Sequence, residues 1–98
     1  MSAVVEEFIA FLGPRVSGQL QGTARLEISG EGAVMLDHTG ARAALDDEVA
    51  DVTLAAAEQV FRNILSGDQN PATAFMMGKL KVEGSLQRAL KVSAILTA

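Results

Sequence analysis

The chain has no cysteine, no tryptophan and no tyrosine among its 98 residues. Without thiols there is no disulfide framework and no thiolate metal site. Such a chain has no need of an oxidising compartment, and a cytoplasmic location is expected. Long apolar runs are also lacking. Residues 4–12 are largely apolar, but Glu6 and Glu7 interrupt them, which fits neither a signal peptide nor a membrane span. Aromatics amount to four Phe, so the apolar mass is Leu, Val, Ile, Ala and Met, residues that line adaptable cavities.

Positive charge is scarce too, with 8 Lys and Arg against 12 Asp and Glu, a net of −4. That argues against a nucleic-acid partner. The charge is uneven. Residues 79–98 hold Lys79, Lys81, Arg88 and Lys91 against Glu83, or 4 − 1 = +3, which leaves −7 for the first 78. The segment reads either as an ordinary solvated face or as a basic patch for an anionic head group or transient contact with a membrane surface. What is abundant is apolar mass: 49 % hydrophobic against 20 % charged. This composition and length fit one globular domain over residues 1–98.

Catalytic machinery is not visible. His38 is the only histidine and lies in a polar turn beside Asp37. The serines sit in no nucleophile-elbow pattern. Asp46, Asp47, Glu48 and Asp51 do not match a calcium-loop spacing and read as a solvated acidic turn. Gly30-Glu31-Gly32 and Gly78-Lys79 lack the remaining residues of nucleotide-binding loops and read as turns. No catalytic residue, metal ligand or cofactor is assigned, and an enzyme is not expected.

Periodicity orders the chain. Ser2 caps a helix over residues 4–12 that Gly13-Pro14 stops. Residues 23–29, 34–36, 41–45 and 51–54 read as four short strands joined by turns, an antiparallel meander. Ala57, Val60, Phe61, Ile64 and Leu65 recur at helical spacing up to Gly67. Asn70-Pro71 starts a short helix carrying Phe75, Met76 and Met77. Residues 79–84 alternate as a fifth strand, and Ser85 caps a last helix through Leu90 and Leu96. This order predicts an α+β fold: one layer of about five mostly antiparallel strands with helices on one face. The Phe75-Met76-Met77 cluster reads either as plain core or as a surface for a variable apolar ligand.

The run from Asn70 to Gly84, with Ala74-Phe75 followed by Gly78-Lys79-Leu80-Lys81-Val82-Glu83-Gly84, resembles the signature of the sterol-carrier-protein lipid-transfer family. Ala50-Asp51-Val52-Thr53-Leu54 upstream is similar to that family's strand before a helix. Ser85 stands where the family usually has Asp, and the closing helix is short. The resemblance implies an apolar tunnel between sheet and helices. It implies reversible, non-covalent binding and transfer of a fatty acid, fatty acyl-coenzyme A, sterol or phospholipid. Phe61, Leu65, Phe75, Met76, Met77 and Leu90 would wall the tunnel, and Lys79, Lys81 and Arg88 are candidates for an anionic head. Strand alternation, however, sets the two lysines opposite Leu80 and Val82. The alternative is a homodimerisation or accessory scaffold module whose apolar groove a protein partner fills; the wide apolar face of residues 4–12 motivates it.

Overall fold

The computed structural model describes residues 2–97. Helix α1 spans Ala3–Val16, and the Ser2 hydroxyl accepts the Val5 N–H at 3.0 Å. It buries Val5, Phe8, Leu12 and Val16. The expected stop at Gly13-Pro14 does not occur, and the helix runs one turn further. Pro14 removes only the N–H that would serve the Ala10 carbonyl, and Ala10 is exposed, so water can take that bond. Burial of Val16 rewards the extra turn.

Strands β1 (Ala24–Ile28), β2 (Gly32–Asp37) and β3 (Gly40–Ala43) form an antiparallel meander. Strand β4 (Val52–Ala56) departs from the expected pattern: it crosses to the far side of β1 and pairs with it in parallel. Strand β5 (Leu80–Gly84) then joins β4 antiparallel, and the order is β3-β2-β1-β4-β5. Side chains hold the connection in place. Arg25, on the outer face of β1, donates Nη1 to the carbonyls of Leu45 at 2.7 Å and Glu48 at 3.0 Å. Arg42 holds Glu48 through two contacts, one of 2.9 Å. These bonds draw residues 45–48 against the outer face, where Met35 is buried. Thr23 and Asp51 then lock β1 and β4 level: the Asp51 carboxylate accepts the Thr23 N–H, and the Thr23 hydroxyl accepts the Asp51 N–H, both at 3.0 Å.

Helices α2 (Glu58–Ser66), α3 (Pro71–Met76) and α4 (Leu86–Leu96) complete the chain. The inner sheet face presents Leu26, Ile28, Val34, Leu36, Val52, Leu54 and Leu80. Against it pack Phe8 and Leu12 of α1, Phe61 and Ile64 of α2, and Val92 and Leu96 of α4. Phe8 and Phe61 meet edge to face, centroids 6.3 Å apart. Burying each such side chain contributes about 1.5–3 kcal/mol.

Candidate functional site

Two short stretches of chain bracket β5. On α3, Asn70 caps the first turn by accepting the Thr73 N–H at 3.1 Å, and Pro71 supplies the helical φ without losing a needed donor. A six-residue helix can bury little, and only Ala74 is buried, against β5. The Ala74 carbonyl accepts the Lys79 N–H at 2.9 Å, and Gly78, with φ +76°, turns the chain into the strand. Phe75, Met76 and Met77 are left 41 %, 84 % and 60 % exposed.

Helix α4 is capped by Ser85, whose hydroxyl accepts the Arg88 N–H at 3.3 Å. Its buried stripe is Ala89, Val92, Ser93 and Leu96. Helical geometry places Leu86 and Leu90 along one border of that stripe and Arg88 and Ile95 along the other. Arg88 reaches Asp51 at 3.9 Å and the Gln21 carbonyl at 3.4 Å, so its border faces the start of β1. Leu86 and Leu90, both about half exposed, lie along the border away from the start of β1.

The residues expected to wall a tunnel thus lie in three environments. Phe61 is in the closed core. Leu65 is half-buried in a separate cleft of about 470 Å³ between α1 and α2, with Phe8, Phe11, Arg15 and Arg62. Phe75, Met76, Met77 and Leu90 are surface groups on the two helices that flank β5. Of the basic candidates, Lys79 is exposed in the turn before β5. Lys81 alternates with buried Leu80 and stands on the outer sheet face. Arg88 is engaged by Asp51 across α4 from Leu90. Leu86, four residues before Leu90, joins it on this helix border by helical spacing.

Other polar groups hold structure. The His38 carbonyl accepts the Gly18 N–H at 2.8 Å, and the Asp37 carboxyl is lowered by bonds from the Thr39 hydroxyl and N–H. The acidic turn does more than meet solvent. The Arg42 guanidinium and the Leu45 N–H lower Glu48 to about 2. Across α1 and α2, Arg62 binds Glu7 at 2.5 Å and Glu58 at 2.6 Å, and its own pKa rises. Among the described residues no cluster of metal-ligating side chains occurs, and no helix is long and apolar enough to cross a membrane.

A family model described as the SCP-2 sterol transfer family matches residues 14–97. Sterol carrier protein 2 of Gallus gallus is 38 % identical over 53 residues, which cover 54 % of this chain and 10 % of that protein. The chain spans about a tenth of the length of such curated relatives. Among solved structures, sterol carrier protein domain 2 of Helicoverpa armigera superposes with a TM-score of 0.76 at 19 % identity, covering 95 % of this chain and 85 % of that one. Sterol Carrier Protein-2 of Aedes aegypti, in complex with the C16 fatty acid palmitate, gives 0.75 at 18 % identity, covering 98 % and 96 %. At these identities the likeness establishes the shared α+β fold.

Proposed function

The chain belongs to the SCP-2 sterol transfer family, and from that membership we propose that it binds a lipid-like ligand reversibly, without covalent chemistry. The ligand class is a fatty acid, fatty acyl-coenzyme A, sterol or phospholipid. The observation that carries this reading is the exposed apolar set Phe75, Met76, Met77, Leu86 and Leu90 on α3 and α4, on either side of β5. Large apolar groups exposed on two helices joined by one short strand favour a binding surface. Methionine tolerates ligands of different shape because its side chain is unbranched and polarisable.

An acyl chain entering between α3 and α4 would gain about 0.8 kcal/mol per buried methylene. Ten methylenes gain about 8 kcal/mol before the cost of association, and each further methylene adds to the surplus. The inner groups of β5, buried Leu80 and half-buried Val82, form the floor of this path, and Phe61 is the core residue of α2 that a longer chain would displace. Lys79, in the exposed turn between α3 and β5, is the cation for an anionic head. The palmitate held by the Aedes aegypti protein of the same fold supports an acyl ligand.

Recombinant protein extracted with organic solvent and analysed by mass spectrometry is expected to yield fatty acid or phospholipid. Palmitate added to delipidated protein is expected to raise the melting temperature. Extracts free of lipid together with an unmoved melting temperature would overturn the proposal.

A further inference from the structure

Strand β5 ends the sheet, and its outward edge has no strand partner among the described residues. Edge strands of soluble proteins are blunted by short length, lysine or other charge, proline, a bulge, or a covering helix or loop. Leu80–Gly84 contains no proline, its inward side chains are Leu80 and Val82, and its charges Lys81 and Glu83 both stand on the outer face.

We propose that the β5 edge is a homodimer interface in which two copies pair β5 with β5 antiparallel about a two-fold axis through Val82. The register follows from charge. In an antiparallel pair centred on Val82, Lys81 of each copy stands directly opposite Glu83 of the other, and Leu80 opposite Gly84. Shifting the centre to Lys81 sets lysine against lysine. Shifting it to Glu83 sets glutamate against glutamate. Opposite charges across a strand pair are favourable and like charges are not, so one register is selected. A contact that is its own complement is what a closed two-fold dimer requires.

The same symmetry keeps the helices of both copies on one side of a continuous ten-stranded sheet. Helices α3 and α4, which carry the exposed Phe75, Met76, Leu86 and Leu90, then lie on that same side in both copies. Five paired residues alone fall short of the roughly 1,200–2,000 Å² of a stable interface, so contacts between these helices supply the remainder. This inference does not depend on the lipid reading, since the pairing needs no ligand.

The test exploits the charges. Sedimentation of the wild-type chain over micromolar to millimolar concentration is expected to show a monomer–dimer equilibrium. Lys81→Glu alone faces Glu83 of its partner copy, and Glu83→Lys alone faces Lys81; each is expected to weaken dimerisation about tenfold or more. The two single variants mixed together are complementary and should dimerise with each other, and the double variant K81E/E83K should dimerise with itself. Circular dichroism checks that each variant is folded, and both sites are exposed. A wild-type chain that stays monomeric throughout, or single variants that self-associate as tightly as wild type, would overturn the proposal. Delipidated protein must give the same answer, so a failure here leaves the lipid reading standing.

Discussion

Gly84 lies so close to Asp51 that a Cβ added to it would sit 2.6 Å from the Asp51 carbonyl oxygen and 3.3 Å from Val52 Cα. Its φ of +100° also suits glycine alone. The obstructing atoms are backbone and cannot rotate away. Gly84→Ala should therefore cost about 2–4 kcal/mol, read as a shift of the urea midpoint at unchanged slope. A change below about 0.5 kcal/mol would show that β5 can move away from β4 at no cost.

The edge-to-face pair Phe8–Phe61 ties α1 to α2 inside the core. Phe61→Ala should cost about 3–5 kcal/mol. In a double-mutant cycle with Phe8→Ala, the coupling should be about 0.5–1.5 kcal/mol. Strictly additive effects would mean that the rings share a core without interacting.

Met76 and Met77 are expected to separate binding from stability. Met76→Ser with Met77→Ser removes exposed apolar groups, so the unfolding free energy should stay within about 0.5 kcal/mol of wild type. Palmitate affinity should fall about tenfold, measured by titration with a fluorescent acyl analogue. Unchanged affinity would place the ligand elsewhere.

Glu48 gives a pH signature. Its carboxyl is lowered from 4.5 to about 2 by Arg42 first and the Leu45 N–H second. A depressed carboxyl contributes stability above its unfolded pKa and loses it as pH falls through the folded value. The contacts holding residues 45–48 to the sheet should therefore persist at neutral pH and weaken progressively below 4.5 toward 2. NMR titration of the Glu48 carboxyl should follow this course, and Arg42→Gln should return its midpoint toward the ordinary range. A wild-type midpoint near 4.5 would show that the pair does not persist in solution.

The parts of this fold that local chemistry controls were legible in the sequence. Ser2, Asn70 and Ser85 announced three helix starts, and the i, i+3, i+4 recurrence through Val60, Phe61 and Ile64 marked α2. Gly84 was visible as a motif residue, though only the approach of Asp51 explains it. What spacing could not reveal depends on partners distant in sequence. The crossover of β4 rests on Arg25 and Arg42 finding residues 45–48, and on Thr23 meeting Asp51. Pro14 looked like a stop because its missing donor matters only where the orphaned carbonyl is dry. The site was legible as a cluster but not as a surface. Phe75 and Met76 carry the same helical signal whether they face a core or water, and the shortness of α3 decided for water.

The parallel pairing of β1 with β4 also governs the order of assembly. Thr23 and Asp51 are 28 residues apart, whereas the hairpins β1–β2 and β2–β3 close over short turns. Long closures lose more chain entropy before any contact rewards them, so the hairpins form early and the sheet's centre waits. Strand β5 docks on β4 over a comparable separation, from the Ala56 and Leu80 pair to the Val52 and Gly84 pair. The half of the molecule that carries the apolar surface thus depends on long closures, and it is expected to open ahead of the β1–β3 half. Amide exchange should record this as an uneven protection, weakest from α3 to α4, which gives a bulky ligand a way in that the closed core does not.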